Sequence, residues 1–377
     1  MTPRIASLLY TLTTVFYIAQ SIVFVFYVEV ASNESTFIDH ARQLSADGFV
    51  NILSYPVYSI ILACWFLVAG KSFVAARILS LLITIVSIRR VYKIGSSLAN
   101  DPISGASLCI GFLLFPTVVY GLSVATPHAL MIFLFLNALS IAIHQPPKTS
   151  QQIYWRPLAF GLTVAVASTL HPLGLAGAVG LIGIYFYSHG KRDLKFSLSV
   201  CCTVITLGVL FTFFSLPWIN FPADENLAAS GFDTFITAVI FPYTMLWIGL
   251  VFGVASTFST SLRLVMPHYY ISLTRSCLAC FFILLIFLAW RDSWESGQLT
   301  IGMIGIFPFA IIAILPMVVW IRTVMPKIRS MIVWIIIPVV MYSCFWAVLG
   351  PIRLDAFPLN RLNLNYLYGG EGLVLRR

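Results

Sequence analysis

A chain of 377 residues that is 60% hydrophobic and only 9% charged, with mean hydropathy +0.96, is not a soluble globular protein, where about a quarter of residues carry charge. Its net charge of +9 does not indicate nucleic acid, because the basic residues cluster in short loops between apolar runs, where they set topology and meet anionic lipid headgroups. The seven cysteines all lie within apolar runs, so neither a disulfide framework nor a thiolate metal site is suggested; Cys277 and Cys280 read as packing residues.

The apolar runs are long enough to cross about 30 Å of hydrocarbon as helices, and they lack the alternation of a membrane β-barrel. The expected fold is all-α: a polytopic transmembrane helical bundle forming a single integral-membrane domain over 1–377. The first run, residues 5–28, is too long for a signal-peptide core and is read as an uncleaved span. Further spans are expected near 73–91, 104–122, 127–144, 157–170, 172–188, 196–215, 234–256, 268–289, 300–321 and 331–349, about eleven in all.

The run 53–69 competes as a span, and charge decides against it. If it lies in the interface, one side receives Arg4, Arg89, Arg90, Lys93, Lys148, Arg156, Lys191, Arg192, Lys195, Arg263, Arg322, Lys327 and Arg329. The opposite side receives Glu29, Glu34, Asp39, Asp47, Asp224, Glu225, Asp233, Asp292, Glu295, Asp355 and Glu371. That is the positive-inside pattern, and counting 53–69 as a span would scatter both signs. The amino terminus is therefore expected on the cytoplasmic side. Three regions face outward: the first loop at 29–72 with its interfacial helices, the loop at 215–233, and the tail at 351–377.

The inner loops contain no Gly-rich phosphate cradle, which argues against an ATP-driven pump. The two halves show no alignable repeat, and charges deep in the spans are scarce, which weakens a transporter reading.

The first outer loop carries the densest polar chemistry, NESTFIDHARQLSADG at 33–48. Phe37, Ala41, Leu44 and Gly48 recur at helical spacing, which predicts a helix lying flat on the membrane. Glu34, seven residues before Ala41, projects from the same side as this stripe. Ser32 or Asn33 is placed to cap the helix, with Glu34 meeting the positive end of its dipole. Asp47 before Gly48 reads as a turn.

The same stretch resembles a motif of membrane-embedded glycosyltransferases of the GT-C superfamily, the group of protein O-mannosyltransferases and lipid A aminoarabinose transferases. Their pattern D-E-x-x-Y-x-x-x-A-R-x-L-x-x-x-G is met by Asn33, Glu34, Phe37, Ala41, Arg42, Leu44 and Gly48, with Asn33 where an aspartate usually stands. Tyr55, Pro56 and Tyr58 resemble the entry to the family's second interfacial helix, and Gly70, Ala75, Ala76 and Arg77 resemble its G-x-x-x-x-A-A-R transition. The stretch 115–143 resembles its later turn between spans, with Thr126 and Pro127 near a place that often carries an acid, and HPLGL at 171–175 resembles the turn after its fifth span. The likeness covers about the first 190 residues.

The resemblance implies transfer of a mannose-like hexose or related sugar from a polyprenyl- or dolichyl-phosphate donor to a glycan, lipid or protein acceptor. The reaction would run on the outer or luminal face of a bacterial cytoplasmic or endoplasmic-reticulum membrane. Such chemistry needs a carboxylate to take the acceptor proton and cationic or hydrogen-bonding groups to hold the departing phosphate. The implied base is Glu34, with Asp39 as the alternative. The implied substrate-binding residues are Asn33, Arg42, Arg77, His128, His171 and Arg353. Interfacial anchoring for the arginines and helix-end roles for the two histidines are the competing readings. No cofactor is certain: a divalent metal stays open, since no ligand spacing of the H-x-x-x-H type occurs. A polysaccharide polymerase or ligase, a transporter and a catalytically silent GT-C-like subunit are the rival functions.

The topology makes a direct prediction. In a cysteine-free background, Ser35→Cys and Asn226→Cys should react with a membrane-impermeant thiol reagent from one side of sealed vesicles and Thr149→Cys from the other. Labelling of Ser35→Cys together with Thr149→Cys, opposite Asn226→Cys, would make 53–69 a span.

Overall fold

The computed structural model describes residues 3–27, 32–50, 52, 55–113, 116–143, 150–189, 244–291 and 296–324. Among these residues all regular structure is helical, in thirteen helices. They are α1 (Pro3–Tyr27), α2 (Ser32–Ala46), α3 (Val57–Ala69), α4 (Phe73–Ala99), α5 (Pro102–Leu113), α6 (Pro116–Ser123) and α7 (Pro127–Ile143). There follow α8 (Ser150–Leu170), α9 (Pro172–His189), α10 (Thr244–Ser256), α11 (Thr260–Val265), α12 (His268–Arg291) and α13 (Ser296–Val324). Proline opens α5, α6, α7 and α9, where its fixed φ suits the first turn and its missing N–H costs nothing.

The expected runs appear as helices wherever they fall on described residues; 196–215 and 331–349 lie outside them. By length and hydropathy Arg4–Ile22 passes alone as a span among the described residues. Helices α3 and α4 would pass together, but they meet at 109°. That bend suits an interfacial α3, because a chain that crosses in α4 runs in a different direction along 57–69. Gly70 makes the corner with φ +87, a left-handed conformation that disfavours a Cβ. The corner is stapled by the Trp65 indole N–H donating to the Ala75 carbonyl at 2.7 Å and by Ser72 Oγ accepting the Ala75 N–H at 3.0 Å.

The chain divides into two compact units, each described by itself. The first draws on 1–28, 88–120 and 228–377. In it, Leu9 of α1 packs with Ala106 and Ile110 of α5, flanked by Ile5, Phe16 and Tyr92. Helix α13 packs on α5, α10 and α12, with Phe307 against Phe112. Arg275 on α12 closes the carboxyl end of α10, donating to the Thr257 carbonyl at 3.0 Å, a favourable place for a cation. Cys109, Cys277 and Cys280 are buried packing residues.

The second unit draws on 29–87 and 121–227. Helix α2 lies on α3, and α7, α8 and α9 pack on one another. The contact between α7 and α9 is close because position 177 has no side chain: a Cβ there would strike the ring of the fully buried Phe135. Gly183 on the same helix faces open space.

Gly177→Ala is expected to lower the unfolding temperature in detergent, by a strain of about 1–3 kcal/mol. Gly183→Ala should leave it level or raise it, since alanine is the better helix former by about 1 kcal/mol. Equal behaviour of the two variants in a thermal melt would contradict the close packing of α7 on α9.

Candidate functional site

The site begins with the pattern on α2. Its buried residues are Glu34, Ile38, Ala41 and Leu44, spaced four, three and three apart, so one continuous stripe turns inward. Glu34 shares the inward stripe, as the sequence predicts. Ile38 rather than Phe37 fills the second place: Phe37 is half-buried and sets its edge against Tyr58 at 5.4 Å. The helix ends as predicted at Asp47 and Gly48, where Gly48 has φ +63 and the Phe49 N–H returns to the Leu44 carbonyl at 3.0 Å.

Glu34 is fully buried, and so is Arg77 on α4. The guanidinium grips the carboxylate with two parallel bonds, Nε to Oε1 at 2.7 Å and Nη2 to Oε2 at 2.6 Å. The Ala125 backbone N–H adds a third bond to Oε1 at 2.8 Å. One carboxylate thus joins α2, α4 and the turn between α6 and α7. The Phe73 ring lies 5.7 Å from the Arg77 guanidinium carbon, a cation–π distance. Beside this pair, the Tyr58 hydroxyl lies 3.5 Å from Ser80 Oγ, both buried, and Ser59 Oγ donates to the Phe37 carbonyl at 3.4 Å.

Such a pair is costly to break. Bidentate arginine–carboxylate bonds are among the stronger protein hydrogen bonds, and removing one buried partner strands the other's charge at about 3–5 kcal/mol. Arg77 therefore neutralises Glu34. A carboxylate offers about four acceptor positions, so with three bonds in place one remains, on Oε2.

Asp39 stands five residues from Glu34, which turns it to the opposite face of α2. It is exposed and pairs with Arg42 at 3.1 Å. Arg42 also donates from Nε to the Lys71 carbonyl at 3.1 Å, tying α2 to the α3–α4 corner. Burial lowers the pKa of His40, next along this helix, more than the neighbouring Asp39 raises it. Asp39 and Arg42 thus do not gather with Glu34.

Beyond Ala125, Thr126 and Pro127 open α7. Thr126 Oγ1 lies 3.2 Å from His128 Nδ1. The His128 ring meets that of His171 at 5.2 Å between centroids. His171 caps α9, its Nδ1 accepting the Leu173 N–H at 3.2 Å. Two histidines 43 positions apart are thus neighbours, each at the start of a helix. Asn33 belongs to the first turn of α2, and Arg353 lies outside the described residues.

Among the described residues no group of three or more His, Cys, Asp or Glu is placed to hold a metal ion. Sequence reasoning missed the Ala125 N–H, a backbone group that no side-chain motif reveals. It named Arg77 as a phosphate holder, and in the structure two of the five guanidinium N–H donors bind Glu34. The signal for that pairing was available in two charges destined for an apolar bundle, each needing a partner.

By sequence the chain matches no protein-family profile and no curated protein. By fold it is similar to the crystal structure of ArnT from Cupriavidus metallidurans bound to undecaprenyl phosphate, with a TM-score of 0.51 at 14% identity, covering 94% of this chain and 75% of that one. With the composition, this fold makes the chain a polytopic integral membrane protein. In fold the chain resembles a GT-C lipid A aminoarabinose transferase.

Proposed function

We propose that this protein is a membrane glycosyltransferase that moves a mannose-like hexose or related sugar from a polyprenyl- or dolichyl-phosphate to a glycan, lipid or protein acceptor. The reaction runs on the outer or luminal face of a bacterial cytoplasmic or endoplasmic-reticulum membrane, with the amino terminus cytoplasmic. The observation that carries this reading is the fold shared along 94% of the chain with a protein crystallised with undecaprenyl phosphate. Glu34 supports it, being a carboxylate of the first loop that keeps one acceptor position unused.

In this reading Glu34 takes the acceptor hydroxyl proton at Oε2 as the acceptor oxygen attacks the anomeric carbon and the lipid phosphate leaves. Arg77 orients the carboxylate, and the Ala125 N–H holds the α6–α7 turn against it. Asp39 is the alternative base, Arg42 its ion-paired neighbour, and Asn33 and Arg353 are further candidates for substrate contact. The extent of Glu34's engagement favours a second reading, in which the same pair is purely a strut and the chain is a catalytically silent GT-C-like subunit.

Membranes containing the protein should transfer radiolabelled sugar from a lipid-phosphate donor, which a silent subunit would not do. Glu34→Gln alone should lose transfer and also melt earlier, because Arg77 is left charged and unpaired at a cost of about 3–5 kcal/mol. The double variant Glu34→Gln/Arg77→Gln removes both charges and should recover most of the melting temperature without recovering transfer. A double variant that transfers sugar at the wild-type rate would remove Glu34 from the chemistry.

Asp39→Asn breaks only an exposed ion pair worth about 0–1 kcal/mol and should leave both melting temperature and transfer unchanged. Loss of transfer in this variant would assign the base to Asp39.

A further inference from the structure

In the first unit, the end that carries the amino terminus is cationic along one side, with a pair of tyrosines beside the charge. On α4 the exposed positions Leu82, Val86, Arg89, Lys93 and Ser97 follow at steps of four, three, four and four, so they share one face. That face changes from apolar to basic between Val86 and Arg89, which sets the edge of the hydrocarbon there. Arg89 and Lys93 are one turn apart, about 6 Å along the axis, so two long cationic side chains can close on one phosphate.

Helix α1 supplies hydroxyls at the same end. Arg4, Ser7, Thr11 and Thr14 recur at three- and four-residue steps, a stripe between the exposed apolar positions Leu8, Leu12 and Val15 and the half-buried Tyr10. The Tyr10 ring meets that of Tyr92 on α4 at 4.9 Å between centroids. Tyr92 is also half-buried, stands one turn after Arg89 and rests on the cluster of Leu9, Ala106 and Ile110. The ring pair thus has a packed footing and borders the basic face.

No carboxylate on these helices cancels the charge. Neither α1 nor α4 contains Asp or Glu, and Asp101 at the head of α5 spends Oδ2 on the N–H and the hydroxyl of Ser104, each at 2.7 Å. Among the described residues Arg4, Arg89 and Lys93 enter no ion pair. A free phosphate would use the cations alone, whereas Leu82 and Val86 continue the same face of α4 with apolar surface. Cations, phenols and an apolar track in that order match a molecule that carries a phosphodiester, a polar headgroup and hydrocarbon chains.

We infer that this end of α1 and α4 is a headgroup site for one anionic phospholipid of the leaflet on the amino-terminal side. Arg89 and Lys93 take the phosphodiester, the Tyr10 and Tyr92 hydroxyls hold the headgroup, and the acyl chains run along Leu82 and Val86. Arg4, at the start of α1, adds charge where the headgroup enters. A lipid held this way bridges α1 and α4 through the tyrosine pair. The site goes beyond the transferase reading and stands whether or not the chain transfers sugar.

The test is lipid binding to the full chain, purified in detergent and stripped of native lipid. Dioleoylphosphatidylglycerol is the probe, read as a saturable rise in melting temperature and as one retained lipid by native mass spectrometry. Dioleoylphosphatidylcholine has the same chains without net charge, and inorganic phosphate has charge without chains; neither should produce the rise or compete with it. A cation at an anionic lipid surface is worth about fivefold in affinity, so Arg89→Gln/Lys93→Gln should bind about 25-fold more weakly. Both side chains are exposed, so this variant should melt at the wild-type temperature without lipid. Tyr10→Phe/Tyr92→Phe keeps the ring contact, removes both hydroxyls and should weaken binding about tenfold. If a double variant does not fold, Lys93→Gln alone decides, with a loss of about fivefold. Arg263→Gln removes an exposed cation of α11 that the charge pattern assigns to the same side, and it should bind as the wild type does.

Equal binding of phosphatidylcholine, wild-type affinity in either folded double variant, or an equal loss in Arg263→Gln would each overturn the site. The last result would reduce the attraction to the net charge of that side of the protein.

Discussion

The second unit depends on the pairing of Glu34 with Arg77. Two full charges buried in an apolar bundle are tolerable only together, because the desolvation that each suffers alone is several kcal/mol. This requirement acts on the chain before any question of function: it fixes which side of α2 faces inward, and it fixes α4 opposite, 43 positions away in sequence. The third bond, from the Ala125 N–H, brings in the turn ahead of α7 across 91 positions. Without it, two backbone-satisfied helices would be paired; with it, the irregular turn between α6 and α7 acquires a defined place. A guanidinium suits the task better than an ammonium, since its planar fork holds both carboxylate oxygens and so fixes orientation as well as charge.

How much of this was legible follows from what each signal measures. Helical periodicity is local, so the sequence could identify α2, lay it flat and turn Glu34 inward with Ala41 and Leu44. Periodicity cannot choose between adjacent apolar residues near the edge of a stripe, and it is Ile38 that takes the place assigned to Phe37, whose ring turns sideways to Tyr58. The partner of Glu34 was out of reach of any local rule. Arg77 sits in a stretch that reads equally well as an interfacial anchor, and only the corner at Gly70 turns it toward α2. The motif likeness located both residues without pairing them. Charge distribution sets 53–69 apart from the spans, and in the structure α3 and α4 meet at 109°.

The same geometry sorts the acidic residues of the first loop by role. Composition presents Glu34 and Asp39 as equivalent carboxylates in one polar stretch, yet a five-residue spacing on a helix sends them to opposite faces. Asp39 and Arg42 form an exposed pair whose contribution is small, while Arg42 does more through its bond to the Lys71 carbonyl, which closes α2 onto the α3–α4 corner. Glu34 is drawn in, neutralised and nearly saturated. A carboxylate in that position is either a base with one remaining acceptor site or a strut with none in use, and both descriptions are consistent with the same three bonds. What separates them is whether an acceptor hydroxyl reaches Oε2, which is a property of the reaction and not of the resting pair.

Proline placement explains why polar chemistry collects where it does. Pro127 and Pro172 open α7 and α9, and each therefore forces a helix to begin at a set residue with its first N–H groups outside the intrahelical ladder. In a membrane protein those groups cannot be left to water, so they call for a side-chain partner. Elsewhere in the chain the partner is plain: Ser72 takes the Ala75 N–H at the head of α4, and Asp101 takes the Ser104 N–H at the head of α5. At α9 the partner is an imidazole, whose Nδ1 accepts the Leu173 N–H. A serine or aspartate would cap as well but would not set a ring against a second histidine. The cap at α9 thus meets the backbone need of one helix and sets its ring against the start of another, so two helix ends opened by proline are held together through their first turns.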